Sequence, residues 1–385
     1  MSALPPRDEA SLLRRQREGR LRVRLAAEWR ALVAEVGLAD AYAETDVVVA
    51  ADAGFTDQGS LHLHLGPTDP PIRLREASLG GVAAQAGGGA ADLVIPIGGG
   101  LAEGSRRGGA QVLADLLAGG AVELDSSGDG TRLQPRRELH TRLDLERIGG
   151  GRLLLHRAIQ ENGVVAVSSG EGLLPSPFGP LLGPFVNALW TAGGAGSIGL
   201  TMPGLAQLGP GSPVLVGGGL GWVVGSGSGH RPQPRRQSGG QARTPGAVAA
   251  VSVDLHSLEP GWLRPCVFEG CGTALLVPIA APIALIDAAT ARQAAAGDDQ
   301  LEAPVVDVSV PRRLKPGLGA VSYAALRSGA IRVEGHPLRA APAHSPRLAE
   351  AIGRELVRRL QEQTFPLRLP ARPLGARPSL IPLEA

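Results

Sequence analysis

The sequence predicts an α/β fold: a single Gly-rich domain with mixed β-sheets, carrying a helix near each terminus. Three observations point there. Apolar residues recur at helical spacing near the two ends, over 11–44 and 345–363. Between those segments lie short runs of Val, Ile, Leu and Ala, of strand length and closed by turn residues. The 55 glycines and 32 prolines are spread among these runs, which suits a turn-rich globule and not a disordered chain. At 385 residues and 43% apolar content the chain can bury a sizeable core. Residues 1–14 are expected to form a disordered N-terminus, 15–365 the domain, and 366–385 a Pro/Arg/Leu-rich tail over the surface.

The elements follow in order. Leu12, Leu13, Leu21 and Val23 open the first helical segment, and Trp29, Leu32, Val33 and Val36 continue it. DVVVA at 46–50 reads as a buried strand. LHLHL at 61–65 alternates strictly, so His62 and His64 share one strand face. GPTDPP at 66–71 closes it as a turn. A strand is expected at 92–97 and a helix at 109–117. Further strands are expected at 163–168, 198–202, 214–216, 222–224, 247–255 and 274–286. In the last helix Leu348, Ile352, Leu356 and Leu360 form one stripe. The longest polar interruption is the loop 225–246, and long loops in compact domains tend to be functional.

Charge and cysteine content narrow the function. The net charge is +2, Arg supplies nearly all the positive side, and Lys315 is the sole lysine. No basic face is interleaved with aromatics, so nucleic-acid binding is not expected. The N-terminus has no apolar core of a secretion signal. The most apolar segment, 273–286, contains Pro278 and Pro282 and is too short to span a bilayer. A cytoplasmic protein without membrane contact is therefore expected. Cys266 and Cys271 cannot build a disulfide framework or a Cys-only metal site. His62 and His64 lack a third ligand at convincing spacing, so no metal site is expected. Lys315 precedes Pro316 in a loop-like stretch, which disfavours a Schiff base.

The stretch VGGGLGWVVGSGSGH, 216–230, raises a phosphate cradle as a first thought. A P-loop needs Lys and Ser/Thr after its last Gly, at the mouth of a helix. Here the glycines bracket the strand-like Trp222-Val223-Val224, and a proline-broken loop follows His230.

Several segments, in order, carry a resemblance: GPTDPPI at 66–72, GGAQVLADL at 108–116, GT at 130–131 with PRRE at 135–138, the glycine–strand–His stretch, WLR at 262–264, and VSY at 321–323 leading to LRSG at 326–329. Together they resemble the homocysteine biosynthesis (HcyBio) family over about residues 15–370. The resemblance implies a cytoplasmic sulfurtransferase that makes homocysteine from aspartate semialdehyde and a sulfide-level sulfur donor. It also implies a small ferredoxin-like partner carrying iron–sulfur clusters, with no cofactor in this chain. The family's chemistry is expected to use cysteines at two places, where this sequence has Asp57 and Leu133. Neither side chain can carry sulfur. The thiols left are Cys266 and Cys271, and Cys271, between two glycines, is the better nucleophile. Buried cysteines beside apolar strands are also common as inert packing.

The remaining site candidates are substrate-binding. Asp57 stands at a family cysteine position. Asp69 precedes two prolines, where turn capping is the simpler role. Arg136 and Arg137 follow Pro135 and offer a guanidinium fork for a carboxylate, or else a surface ion pair. Gly218 and Gly219 would let a loop close over a small polar ligand, and His230 would face that ligand or solvent. The expected ligand is an amino-acid semialdehyde. The alternative function is a small-ligand-binding homologue that kept the pocket and lost the thiol chemistry.

Overall fold

The strand Gly272–Ala284 is the spine of the molecule, with all 13 of its residues buried. Its sequence, GTALLVPIAAPIA, holds no charge, so both faces can be covered. A computed structural model describes residues 4–379 except 88, 90 and 100–105, together with 381 and 383. Within it, Gly272–Ala284 pairs antiparallel with Val47–Thr56 along a ladder from Leu275↔Thr56 to Ala284↔Val47.

These two strands belong to a sheet of 14 strands. On one side Val47–Thr56 takes up Val23–Leu25 in parallel. On the other, Gly272–Ala284 is followed by Pro213–Val216, Gly219–Ser226, Val248–Asp254, Ile148–Gln160 and Gly59–Leu65. The sheet then continues through Leu93–Pro96, Val82–Ala86, Leu74–Leu79 and Val122–Gly128 to the edge strand Glu138–Leu143. Arg264–Phe268 forms a hairpin with the start of Gly272–Ala284. A second sheet of six strands has Val165–Val167 and Asn187–Trp190 at its centre. Both sheets mix parallel and antiparallel pairs, as the α/β reading expects. The strand Val47–Thr56 ties them together. Ala51 N donates to Gly196 O at 3.0 Å, and Ser345 N to Ala53 O at 2.8 Å.

The helix Pro346–Gln361 buries Ile352, Leu356 and Leu360 against Val47, Val49, Ala280 and Ala284. Three fully buried aliphatic side chains contribute about 1.5–3 kcal/mol each. The helix Gly109–Leu117 has the predicted bounds and buries Val112, Leu113 and Leu116 in the main core. Of the tail, Leu374 lies wholly in that core, and its N–H donates to Leu208 O at 2.8 Å.

Three expectations are corrected. The segment 11–44 is three helices, Glu9–Arg17, Ala26–Val36 and Leu38–Ala43, interrupted by the strand Val23–Leu25. In LRVRL at 21–25 the apolar residues alternate with arginines, and that period of two wins locally, burying Leu21, Val23 and Leu25. The segment 198–202 is a helical turn, Ile198–Thr201, because Asp52 Oδ2 accepts the Ile198 N–H at 2.9 Å and caps it. Ordered structure also begins before residue 15. Asp8 caps the first helix through Ser11 N at 2.7 Å, and Arg7 Nη1 donates to Thr45 O at 2.5 Å. The buried Asp46 carboxylate holds this segment, 2.7 Å from Arg15 Nη1 and 3.3 Å from Arg22 Nη2.

Candidate active site

Where the main sheet meets the six-stranded sheet, a cavity of about 220 Å³ opens. That is smaller than the ~300–1,000 Å³ of drug-sized ligand sites and fits a ligand of amino-acid size. Its polar wall is supplied by Asp52, Asp57, Arg157, Gln160, Thr191 and Cys271. Each comes from a rigid place. Asp52 belongs to Val47–Thr56, and Asp57 sits in the turn that follows. Arg157 and Gln160 end the strand Ile148–Gln160. Pro177 and Phe178 reach the cavity from the loop of the small hairpin Gly172–Leu174 with Leu181–Gly183.

Cys271 lies in the turn joining Arg264–Phe268 to Gly272–Ala284, where its N–H donates to Phe268 O at 2.9 Å. Gly270 and Gly272 flank it at φ +70° and +97°, a left-handed backbone that glycine adopts without strain. The turn therefore displays the thiol. Phe55 and Phe268 brace it edge to face, with centroids 5.2 Å apart. Burial, and then the Asp57 carboxylate, raise the thiol pKa of Cys271. Cys266 faces Ala274 across the hairpin, and its Sγ donates to Ala274 O at 3.3 Å. Burial pushes its pKa to about 11, and it does not line the cavity. Both thiols are free.

Among the described residues, two further charges face this space without an ionic partner. Arg157 donates from Nη2 to Gln160 Oε1 at 2.8 Å, while its buried Nε has no partner among the described residues. Burial lowers its pKa, and the Asp57 charge opposes that in part. Asp52 is set deep in the cavity wall, and no cation lies within 4.0 Å of it among the described residues. Burial raises its pKa to about 6, against the N–H groups of Ile198 and Gly193. Neither residue belongs to a motif that stands out in the sequence. Each is a lone charge inside an apolar run, VVVAADAG and LLLHRAIQ, and that interruption was the available signal.

The other candidates lie elsewhere. Asp69 is exposed in the loop after Gly59–Leu65, and Arg136 N donates to Pro71 O of the same loop at 3.4 Å. Arg136 Nε donates to Glu138 O at 2.9 Å, and Arg137 is exposed over Gly130. These three share the far edge of the main sheet with Leu133, which is 86% exposed. Gly217 and Gly218, at φ +53° and +87°, are the two-residue turn of the hairpin Pro213–Val216 with Gly219–Ser226, and such turns demand positive φ at both positions. Gly219 is the first residue of the returning strand. His230 is wholly buried, and its Nδ1 accepts the Val248 N–H at 3.0 Å. Burial lowers its pKa, with the Val248 and Leu374 backbone opposing. The loop 225–246 is pinned by Arg236, which pairs with the buried Glu161. His62 Nε2 and His156 Nε2 lie 3.0 and 3.2 Å from Ser60 Oγ. No group of three or more His, Cys, Asp or Glu among the described residues could hold a metal ion.

Residues 22–367 match the family described as homocysteine biosynthesis enzyme, sulfur-incorporation. The L-aspartate semialdehyde sulfurtransferase of Methanosarcina acetivorans is 30% identical over 363 residues, 93% of this chain and 70% of that protein. The L-aspartate semialdehyde sulfurtransferase of Methanocaldococcus jannaschii is 28% identical over 329 residues, 82% of this chain. The match spans 61% of that second relative's length. No solved structure matches the chain.

Proposed function

The chain belongs to the homocysteine biosynthesis, sulfur-incorporation family, and we propose that the cavity beside Cys271 transfers sulfur to aspartate semialdehyde to give homocysteine. The observation that carries this reading is a thiol on the wall of a small polar cavity, coupled to the carboxylate of Asp57. Asp57 occupies a position where the family resemblance leads one to expect cysteine, and Cys271 brings sulfur to the same cavity from another turn.

In the proposed reaction the Cys271 thiolate attacks a persulfide or polysulfide donor, whose sulfur–sulfur bond breaks and whose remainder leaves as a thiolate, so that Cys271 carries the sulfur as a persulfide. The outer sulfur adds to the aldehyde carbon, forming a carbon–sulfur bond and an alkoxide. Asp57 takes the sulfur's proton and returns it to that oxygen. Cleaving the sulfur–sulfur bond and replacing the hydroxyl by hydrogen then consume four electrons and four protons in all. Homocysteine, water and the Cys271 thiol are released. The electrons come from a separate ferredoxin-like protein carrying iron–sulfur clusters, and this chain holds no cofactor of its own. No helix among the described residues is long and apolar enough to cross a membrane. A cytoplasmic setting, where thiols stay reduced, suits two free cysteines.

One observation favours a second reading. The Cys271 pKa is raised, whereas reactive cysteines sit where it is lowered; a ligand-binding homologue without thiol chemistry would have no need of a low one. Isotope-labelled polysulfide to load the purified protein, followed by aspartate semialdehyde and a low-potential reductant, separates the two. Labelled homocysteine with an extra sulfur atom on the Cys271 peptide is the expected result. Binding of the semialdehyde with no labelled product would select the second reading.

A further inference from the structure

A buried guanidinium without a counter-ion is costly, because burial penalises the charged form and its unmet N–H groups each forfeit a hydrogen bond. Arg157 comes close to that position: it is largely buried, and the Asp57 charge acts on it without forming an ion pair among the described residues. Its Nη2 meets only the neutral Gln160 side chain, its Nε meets nothing among the described residues, and it lines the cavity that Cys271 also lines. Asp52 is the complementary case, a buried carboxylate on the same cavity with no cation within 4.0 Å among the described residues. The pair are not each other's partners. A ligand that carried one anionic and one cationic group would satisfy both.

We propose that Arg157 is the carboxylate anchor of this cavity and Asp52 its ammonium acceptor, so that the site selects α-amino acids over simple aldehydes or simple carboxylates. Arg157 presents Nε and Nη groups as a planar fork, which matches a carboxylate in two parallel hydrogen bonds. Asp52 accepts the Ile198 N–H through Oδ2 and also faces the Gly193 N–H, and a carboxylate with two lone pairs on each oxygen keeps acceptor capacity for an ammonium group. With the α-carbon held between them, the side chain of the bound amino acid is left to point toward Cys271. This deepens the sulfur-transfer reading and rests on it for the direction of the substrate. The recognition itself does not need sulfur chemistry.

Calorimetric titration of the full chain with three probes tests it. L-Homoserine carries both charges, 4-hydroxybutyrate lacks the ammonium group, and L-homoserinamide lacks the carboxylate. Homoserine is expected to bind the parent protein about 10- to 100-fold more tightly than either partial probe, the span of a charge-assisted hydrogen bond. Arg157→Gln is expected to erase the advantage over homoserinamide, and Asp52→Asn the advantage over 4-hydroxybutyrate. Arg157→Lys, which keeps the charge in a folded protein, is expected to recover only part of the carboxylate preference. Equal binding of the three probes, no homoserine binding by the parent, or unchanged preferences in the variants would each overturn the assignment. All of these outcomes are read without turnover. A protein that selects homoserine through Arg157 yet makes no homocysteine would refute the sulfur-transfer reading and leave the anchor standing.

Discussion

The Asp57 carboxylate and the Cys271 thiol share one cavity, and the carboxylate adds to burial in raising the thiol's pKa. The thiol is thereby displayed yet kept protonated. Because a thiolate is the reacting form, the resting protein should react slowly with alkylating agents, and removing the neighbouring charge should speed it.

Asp57→Asn therefore gives a severalfold faster alkylation of Cys271 at pH 8, measured with iodoacetamide in a Cys266→Ser background. Burial remains, so the pKa falls only part of the way. An unchanged or slower rate would remove Asp57 as the controlling charge.

Cys266 should lag far behind. With a pKa of about 11 and Sγ donating to Ala274 O at 3.3 Å, on the order of one thiol in a thousand is ionised at pH 8. Peptide mapping of a timed labelling reaction should find Cys271 modified first, by tenfold or more. Equal labelling of the two would mean that the Arg264–Phe268 hairpin opens readily.

The pH dependence of stability has a definite sign at Asp52. Its pKa of about 6 in the folded chain lies above the ~3.9 of an unfolded one. The folded state thus holds the proton more tightly, and the stability this provides is lost as pH rises from about 4 through about 6. Asn at 52 keeps an oxygen for the Ile198 N–H and has no charge to bury. Asp52→Asn should then gain on the parent by on the order of 2–3 kcal/mol across that window, in urea unfolding at a series of pH values. A constant difference would show Asp52 to be well solvated.

Much of the fold can be read directly from apolar pattern. The uncharged run at 272–284 and the Val-rich run at 47–50 have few alternatives to burial, and GGAQVLADL at 108–116 has both a helical stripe and a place to start. The break at 21–25 was hidden because a period of two and a period of 3.6 agree over so short a stretch. The candidate site was legible only in part. Flanking glycines singled out Cys271 as the better of the two thiols, and in the structure both glycines have positive φ. A lone charge in a strand, such as Arg157, does not reveal whether it faces solvent or a cavity, since pairing register decides that. Nor could linear motifs show which segments meet. Arg136 N bonds Pro71 O in the loop that carries Asp69, whereas His230 packs on Val248.

The loop 225–246 acts as a structural clamp. Glu161 is fully buried, accepts Gly204 N at 2.7 Å and Ala247 N at 3.0 Å, and pairs with Arg236. Arg236→Met should cost about 3 kcal/mol, since it strands a buried carboxylate, and should leave Cys271 alkylation unchanged. A neutral effect on denaturant midpoint would show the pair to be dispensable.

The central claim is that Cys271 carries the transferred sulfur. It is tested by homocysteine formation from aspartate semialdehyde in the parent, Cys271→Ser, Cys266→Ser and the double variant, each first loaded from labelled polysulfide and then given the same electron donor. Cys271→Ser is expected to lose transfer while Cys266→Ser retains most of it. Full activity in Cys271→Ser or in the double variant would contradict it.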